Sequence, residues 1–338
     1  NGDTSINSEY KIVVQGTKKF SYYIKKFLKI PNKVYYYPSQ NDSYFKKIKT
    51  SDVVITMSWG KSMWGGASNI QIPDTKNLKL IHMPGAGIDG VNFKSVPKDC
   101  KVCNVYEHEI PIAEYCLANI LNWEMKLLDK VIKFKKLDWS DSIIFNGPTH
   151  SEISNKTVGI YGYGKIGIEI AKRLKPFNIN TIGFTRVLRK KDNYLKEVLL
   201  SNKLKQTVHK LDYLIICCPL TNITKGSINK SILSLMKKTA VIINIARGAI
   251  INEKDLYTVL NKKKIGGAII DTWFKYPSDK SNKGFKPSTY SFNKLNNVVM
   301  TPHISAWSEE MIMRRCAVIS NNIERLYFKK KLKNQIRF

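Results

Sequence analysis

Short apolar runs alternate with amphipathic, helix-length stretches along the second half of the chain. Short runs of Val, Ile and Leu are typical of buried strands, whereas apolar residues spaced by three or four positions indicate helices. Regular alternation of the two predicts a parallel sheet with helices on both faces. The pattern predicts strands at Thr157–Tyr161, Asn180–Phe184, Tyr213–Cys218, Ala240–Ile245, Gly267–Asp271 and Val298–Thr301, and helices at Ile166–Leu174, Asn193–Leu200, Ile228–Met236 and Glu253–Asn261.

A glycine-rich turn joins the first of these strands to the first helix. In a dinucleotide-binding fold the first glycine makes the tight turn, the second lets backbone amides approach the pyrophosphate, and the third lets the helix pack close to the strand. The helix N-terminus adds partial positive charge. We therefore predict a cofactor cradle formed by Gly162, Gly164, Lys165, Ile166 and Gly167.

The remaining patterns predict a second domain. Further strands are predicted at Lys11–Val14, Val34–Tyr36, Val53–Thr56 and Leu78–Met83, and long helices at Ile110–Lys130 and Ala306–Phe328. We expect the last helix to return to the first domain, which leaves a cleft between the two. The predicted fold class is α/β, with a Rossmann-type doubly wound parallel sheet for the dinucleotide in residues 107–303. A smaller, flavodoxin-like α/β substrate domain, discontinuous in sequence, is predicted in residues 1–106 and 304–338.

Composition limits the class of protein. The chain has 338 residues, 43% of them hydrophobic, which favours two packed cores. No run approaches the roughly 18 apolar residues of a membrane helix, and Asn1–Glu9 is polar, so we expect a soluble, cytoplasmic protein without a membrane partner. The six cysteines are expected to be reduced, and Cys100 and Cys103 have no second pair nearby that would complete a metal site.

The formal net charge is +30, mostly from lysine. Such a charge concentrates anions near the protein, including phosphorylated cofactors and carboxylate substrates. It also permits loose nucleic-acid binding, but no zinc finger, basic zipper or aromatic RNA-binding signature accompanies it. We therefore expect a small-molecule partner and no specific nucleic acid, and a nucleic-acid-associated protein ranks third among the hypotheses.

Further motifs follow the glycine turn in order: Pro219–Thr221 with Thr224 and Gly226, Asn244–Ala249, Asp271–Trp273 and Thr301–Ile304. Together they resemble the D-isomer-specific 2-hydroxyacid dehydrogenases, over roughly residues 78–315. The resemblance implies that Arg247 and His303 are catalytic, and that a turn at Gly85, Ala86 and Gly87 offers amides to a substrate carboxylate. It also implies a homodimer built on the cofactor domain. Beyond the glycine turn, the expected cofactor contacts include Pro219, Thr224, Ala246 and Asp271.

The expected catalytic pair suits reduction of a 2-keto acid, in which the carbonyl carbon receives a hydride and the oxygen a proton. His303 is the natural proton donor and acceptor because the ordinary pKa of histidine is near 6.5. Arg247 can bind the carboxylate and polarise the carbonyl with a planar fork of donors that lysine lacks. We predict an oxidoreductase acting on a small D-2-hydroxy or 2-keto acid. Substrate contacts are expected from the first domain, where the resemblance is weak, so the resemblance implies a class of acids and no particular one.

One departure from the family pattern concerns the histidine. Where the family places a glutamate that pairs with the histidine, this chain has Tyr276. A neutral phenol can orient an imidazole but does not stabilise imidazolium as a carboxylate does, so we expect a lower pKa for His303 than for the histidine of family members that carry the glutamate. Either the enzyme works with a more acidic reductive optimum, or the protein is a catalytically impaired dinucleotide-binding sensor. We favour a working enzyme because Arg247, His303 and the glycine turns remain.

A second departure concerns the cofactor. Where the family pattern calls for an acid that hydrogen-bonds the adenosine ribose, this chain has Thr185, followed by Arg186 and, shortly after, Arg189 and Lys190. Loss of the acid removes repulsion of a 2′-phosphate, and the cations can pair with it. We therefore predict NADP(H) over NAD(H). The competing interpretation assigns these cations to the general basic surface.

Two tryptophans stand on a glycine-punctuated segment after a first-domain strand. Trp59 and Trp64 either line an apolar pocket for a substrate side chain or belong to the core, and the sequence leaves both interpretations open.

Overall fold

The structure is a computed structural model that describes residues 8–64, 69–277 and 283–338. The chain divides into two compact units, each with its own parallel sheet. Apart from residues outside the described ranges, the first unit comprises 1–107, 276–285 and 307–338, and the second comprises 108–275 and 286–306. The sequence pattern did not indicate that 276–285 groups with the first unit.

The first unit contains a five-stranded sheet. Its strands are β1 Tyr10–Gln15, β2 Asn32–Tyr37, β3 Val53–Ile55, β4 Leu80–His82 and β5 Lys101–Cys103. They lie in the order β2-β1-β3-β4-β5, all parallel, which is the flavodoxin-like order. The helices are α1 Lys18–Phe27, α2 Asp42–Ile48 and a C-terminal helix, Glu309–Tyr327.

Consecutive apolar residues of the first sheet are buried on opposite faces. Val14 packs with residues of α1 and of the C-terminal helix, including Ile24 and Ile319. Val13 packs on the other face in a cluster that contains Trp59, whose indole N–H donates to the Ser95 carbonyl (3.2 Å). Because Trp59 is fully buried there, the structure supports core packing for this residue.

The second unit contains a seven-stranded sheet. Its strands are β6 Thr157–Tyr161, β7 Asn180–Thr185, β8 Glu197–Leu200, β9 Tyr213–Ile216, β10 Val241–Asn244, β11 Gly267–Ile270 and β12 Val298–Met300. All are parallel, in the order β12-β11-β10-β9-β6-β7-β8, which matches the Rossmann-type order with one added edge strand. The helices of this unit are α3 Glu109–Met125, α4 Leu127–Phe134, α5 Lys165–Leu174, α6 Leu204–Thr207, α7 Lys230–Leu233 and α8 Glu253–Asn261. The C-terminal helix of the first unit, Glu309–Tyr327, is α9.

The core of the second unit explains its layers. Apolar residues of the central strands are fully buried and contact apolar residues of α3 and α5. A fully buried aliphatic side chain stabilises the fold by about 1.5–3 kcal/mol. The contributing residues include Val158, Ile160, Ile215, Ile243, Ile112, Ile120 and Ile170. The predicted α/β class, with a Rossmann-type and a flavodoxin-like sheet, is confirmed.

Several predicted elements are wrong. The predicted helix at Asn193–Leu200 contains strand β8 instead, which pairs with Ile182–Thr185 at the sheet edge. The apolar spacing of so short a segment suits either element, and pairing with β7 overrides local propensity. The predicted helix at Ile228–Met236 is limited to α7, and strand β5 was not predicted at all.

The long helix predicted at Ile110–Lys130 is broken at Lys126, which has a left-handed backbone (φ 52°). The Asn122 side-chain oxygen accepts a hydrogen bond from the Leu128 amide (3.0 Å), and the Lys126 ammonium lies 3.7 Å from the centre of the Trp123 ring. These contacts stabilise the break between α3 and α4. Across the described ranges, no helix combines the length and apolar character needed to cross a membrane.

Candidate active site

The glycine turn after β6 has the geometry of a dinucleotide cradle. Gly162 has φ 93°, and a Cβ there would lie 2.4 Å from the Cys218 amide nitrogen. A Cβ on Gly167 would lie 3.1 Å from Ile160 Cγ2, so glycine allows α5 to pack against β6. At Gly164, before the first residue of α5, a Cβ would meet nothing within 4 Å. The residues present therefore fit a pyrophosphate beside this turn.

The start of α5 supplies the donors for such a group. The first hydrogen bond of the helix runs from the Ile168 amide to the Gly164 carbonyl (2.9 Å). The amides of Lys165, Ile166 and Gly167 precede that bond, at the N-terminal end of the helix where amides can face a bound anion. They carry the positive end of the helix dipole, which favours an anion at this position.

The loop after β9 is fixed next to the glycine turn. The Thr224 hydroxyl donates to the Pro219 carbonyl (2.7 Å) and accepts from the Thr221 amide (2.8 Å). Cys218, directly before Pro219, is the residue that a side chain at Gly162 would strike. Pro219 and Thr224, both predicted cofactor contacts, thus belong to a closed turn beside the cradle.

The end of β7 is built differently. Thr185 is buried and its hydroxyl donates to the Leu199 carbonyl (3.4 Å), whereas Arg186 is exposed. The Arg189 guanidinium lies 4.8 Å from the centre of the Tyr163 ring and 4.0 Å from a carboxylate oxygen of Asp192. Arg189 is therefore held by neighbouring side chains, while Arg186 presents its charge to solvent.

Three neighbouring strands end at the same edge of the second sheet. Arg247 follows β10, Asp271 follows β11 and His303 follows β12. Because the strands are parallel and adjacent, their carboxyl ends bring these three residues together.

Asn244 fixes the turn that carries Arg247. Its side-chain oxygen accepts from the Ala246 amide and its side-chain nitrogen donates to the Arg247 carbonyl, both at 3.0 Å. Gly248 comes next, where a Cβ would lie 2.4 Å from the Trp273 carbonyl oxygen. Nη1 of Arg247 donates to the Ala246 carbonyl (2.8 Å), so both the backbone and the guanidinium are oriented.

Asp271 holds the loop that carries His303. His303 has a left-handed backbone, with φ 57°. The fully buried carboxylate of Asp271 accepts hydrogen bonds from the amides of Ile304 (2.8 Å) and Ser305 (2.9 Å) and from the Thr301 hydroxyl (2.7 Å). The carboxylate thus binds a side-chain hydroxyl before the imidazole and two backbone amides after it.

Two opposite charges act on the imidazole. Burial lowers the pKa of His303 below its ordinary value, the negative charge of Asp271 opposes this shift, and the positive charge of Arg247 adds to it. The sequence predicted a pKa lower than in family members that carry the glutamate, and that comparison stays a prediction. The lowering from the ordinary histidine value has burial as its main cause in the structure.

Tyr276 lies in the first unit. Its ring centre is 5.1 Å from that of Trp64, with the planes inclined by 48°. Trp64 is partly exposed, unlike the buried Trp59. The catalytic role expected for Tyr276 stays a prediction.

The turn at Gly85–Gly87 is anchored through its carbonyl groups. The Gly85 carbonyl accepts from the Val105 amide (3.2 Å), and the Ala86 carbonyl accepts from the Asn104 side chain (2.9 Å). Nη1 of Arg315 would lie 3.6 Å from a Cβ on Gly85. A guanidinium therefore stands next to the turn that was predicted to bind a carboxylate.

Two residues near these sites were missed in the sequence. Arg315 lies on α9, and its Nε donates to the Tyr106 carbonyl (2.7 Å). Tyr115 lies on α3, and its hydroxyl is 2.6 Å from that of Thr301. Neither belongs to a glycine, histidine or arginine motif, and only the pairing of elements distant in sequence reveals them.

Comparison with known proteins identifies the family. Residues 117–305 match the family model described as D-isomer specific 2-hydroxyacid dehydrogenase, NAD binding domain. This match covers more than half of the 338 residues, and the chain belongs to the D-isomer specific 2-hydroxyacid dehydrogenase family. The resemblance inferred from the motifs is confirmed, as is a nicotinamide-dinucleotide-binding Rossmann domain.

Similar proteins include enzymes with different substrates. The D-3-phosphoglycerate dehydrogenase of Methanocaldococcus jannaschii is 29% identical over 287 residues, which are 84% of this chain and 51% of the relative, so the chain spans about half of its length. The hydroxypyruvate reductase of Thermotoga maritima is 29% identical over 274 residues, covering 80% and 83%. A solved structure from the same family, from Aeromonas salmonicida, has a TM-score of 0.82 at 21% identity and covers 98% and 99%.

Proposed function

We propose that the protein transfers a hydride between NADP(H) and a small D-2-hydroxy or 2-keto acid. The observation that carries this proposal is the convergence of Arg247, Asp271 and His303 at the ends of three adjacent strands of the Rossmann sheet. An imidazole and a guanidinium with fixed backbones are the groups that a carbonyl reduction requires.

The residues divide the work of the reaction. A nicotinamide dinucleotide held at the glycine turn of Gly162, Gly164 and Gly167 would supply the hydride that reduces the carbonyl carbon. Arg247 binds the carboxylate and polarises the carbonyl with its planar donors. Protonated His303 donates its proton to the carbonyl oxygen, and the neutral imidazole takes it back in the oxidative direction. Because burial lowers the pKa of His303, reduction should slow as pH rises through a value below the ordinary 6.5.

The first unit is assigned to substrate binding. The amides of Gly85, Ala86 and Gly87 are the proposed donors to the substrate carboxylate. The turn that carries them is held in place because Val105 and Asn104 donate hydrogen bonds to its carbonyl oxygens. The Arg315 guanidinium beside Gly85 adds positive charge, which favours an acid over a neutral carbonyl compound.

A panel assay tests the activity. Oxidation of NADPH and NADH is followed with glyoxylate, hydroxypyruvate, pyruvate and bulkier 2-keto acids at pH 6. We expect NADPH turnover with at least one of them. Saturable NADPH binding with no turnover of any acid would contradict the proposal and favour the dinucleotide-binding sensor, the alternative that the tyrosine at position 276 keeps open.

The preference for NADP(H) is proposed from the end of β7. No acid follows the strand directly, and the exposed Arg186 can pair with a 2′-phosphate. Arg186→Ala should lower the NADPH-to-NADH ratio of kcat/KM about tenfold, the size of one charge-assisted contact. The matched variant Arg189→Ala should change it less, because Arg189 is held by Tyr163 and Asp192. An unchanged ratio in Arg186→Ala removes that residue from the account.

A homodimer built on the second unit is also proposed. Helix α4 and the segment after it expose many apolar side chains, with Ile143 91% and Leu137 79% accessible. Contiguous apolar surface of this kind marks protein contacts. Sedimentation should give a dimer at micromolar concentration, and Ile132→Glu with Ile143→Asp should give a monomer. A monomeric wild-type protein would contradict the dimer.

The exposed apolar residues of α4 and the segment after it include Leu127, Leu128, Val131, Ile132, Phe134, Trp139, Ile144 and Phe145.

A further inference from the structure

A chain of hydroxyl groups runs from α3 to the carboxylate that holds the His303 loop. The Tyr115 hydroxyl lies 2.6 Å from Thr301 Oγ1, which lies 2.7 Å from Asp271 Oδ1. An ionised carboxylate only accepts, so Thr301 donates its single proton to Asp271. Tyr115 must then donate to Thr301. Both hydroxyl protons therefore point towards the buried carboxylate.

The same loop is held a second time through its backbone. The indole N–H of Trp273 donates to the Thr301 carbonyl (2.8 Å), while the Asp271 carboxylate receives the Ile304 and Ser305 amides. His303 lies between these attachment points in a left-handed conformation, which is strained for a residue with a side chain. Its orientation depends on Asp271 because that carboxylate joins both sides of the strained residue.

The charged and titratable groups around the loop come from three elements. Helix α3 contributes Tyr115 and Cys116, the turn after β10 contributes Arg247, and the end of β11 contributes Asp271. Burial raises the pKa of Cys116, so its thiol adds no charge at neutral pH. Among these groups, Asp271 is the one whose charge stabilises imidazolium, and Arg247 opposes it.

We propose that Tyr115 and Thr301 are positioning residues for His303, acting through Asp271, whose carboxylate supplies the fixed negative charge that the tyrosine at position 276 does not. The proposal rests on the proposed function for its kinetic consequences. Asp271 was expected from the motif to contact the cofactor. Here it acquires a second role, which is to hold and charge the proton donor.

The pH dependence of kcat tests the proposal. Thr301→Val removes the hydroxyl that positions Asp271. Because the carboxylate then stabilises imidazolium less well, the midpoint for reduction should move about 0.5–1 pH unit to the acidic side. The value of kcat at pH 7 should therefore fall about three- to tenfold. Tyr115→Phe removes the outer donor and should give a shift of about 0.3 unit in the same direction. Thr301→Ser keeps the hydroxyl and should restore the wild-type midpoint.

Tyr213 provides the matched control. Its buried hydroxyl donates to Glu124 (2.5 Å), and among the described residues no hydrogen bond joins that hydroxyl to Thr301 or Asp271. Tyr213→Phe should lower stability as Tyr115→Phe does, with no shift in the midpoint. If Tyr115→Phe and Thr301→Val also lose stability without a shift, the positioning role is refuted.

A measurement on the folded protein separates this inference from the proposed function. With isotope-labelled histidine, the His303 resonance is assigned from its absence in His303→Gln among the five histidines. Its titration should move to lower pH in Thr301→Val and return in Thr301→Ser. If no keto acid is reduced, the proposed function fails, and this titration still decides the inference: an unchanged midpoint contradicts it.

Discussion

Burial lowers the pKa of both His82 in the first unit and His303 in the second, yet their surroundings differ. His82 ends β4 and is fully buried. Its Nδ1 lies 2.9 Å from the Met83 carbonyl, and its Nε2 lies 3.0 Å from the side-chain nitrogen of Asn322. Nδ1 must therefore donate and Nε2 accept. Asn322 in turn binds the backbone of Lys333, so His82 ties β4 and α9 to the C-terminal segment.

His303 stands between fixed charges of opposite sign, on a left-handed backbone that a buried carboxylate holds in place. His82 has a pKa of about 4 and stays neutral with both nitrogens occupied, so it has no proton to give near neutral pH. A lowered pKa therefore does not by itself identify a histidine that takes part in proton transfer. Opposing charges and a strained, anchored loop distinguish His303.

The largest effect should follow from removal of the imidazole that we propose as the proton donor. His303→Gln should lower kcat for keto acid reduction about 10³-fold, because a positioned general acid contributes about 10²–10⁴. Stability should change little. The matched variant His82→Asn should lose stability and keep kcat. Equal activity losses in the two variants would break the distinction between the two histidines.

Replacement of Arg247 by lysine should come next. Lysine keeps the charge but not the planar fork, and we expect kcat/KM to fall about 100-fold. Steady-state kinetics with the best acid of the panel measure this change. A loss of less than about threefold would show that a point charge suffices and that the geometry held by Asn244 is unimportant.

Acid should weaken the fold through His82. Its folded pKa of about 4 lies below the ordinary value near 6.5, so the unfolded chain binds the extra proton between these values and stability is lost as pH falls through them. Between pH 6.5 and 5 this loss should be about 1.6 kcal/mol. Urea unfolding at both pH values measures it. His82→Asn should lose about that much less over the same range, and an equal loss in both proteins would contradict the assignment.

The smallest expected effect concerns the charges around His303. Arg247 lowers the pKa of the imidazole, so Arg247→Met should raise the pKa of His303. Titration of the labelled histidine measures the shift directly. A lowered midpoint in this variant would mean that Arg247 acts on the loop geometry and not through its charge.

The sequence predicted the sheets well where apolar runs were long. The Val and Ile runs of β1, β6 and β9 can only be satisfied by burial on both faces, so they appeared as strands at once. Strand β5 was not predicted and strand β8 was predicted as a helix, because three or four residues carry too little periodicity. Pairing with a neighbouring strand decides their secondary structure. The break at Lys126 depends on an asparagine cap that apolar spacing does not reveal.

The sequence indicated the part of the candidate site that lies in local motifs and not the part that depends on contacts between distant elements. Arg247, His303 and the glycines lie in short motifs whose residue types report their chemistry. The hydroxyl of Tyr115 and the guanidinium of Arg315 take their positions from helices far away in the chain, and nothing local to them signals it. Asp271 was identified, but its three hydrogen bonds to the His303 loop depend on the tertiary fold.

The pH profile of NADPH-dependent keto acid reduction between pH 5 and 8 tests the proposed proton transfer by His303. If His303 donates the proton, kcat should fall as pH rises, with a midpoint below 6.5, and His303→Gln should abolish that limb along with most of the rate. A limb that persists in His303→Gln, or zero rate at every pH in the wild-type protein, would contradict the account.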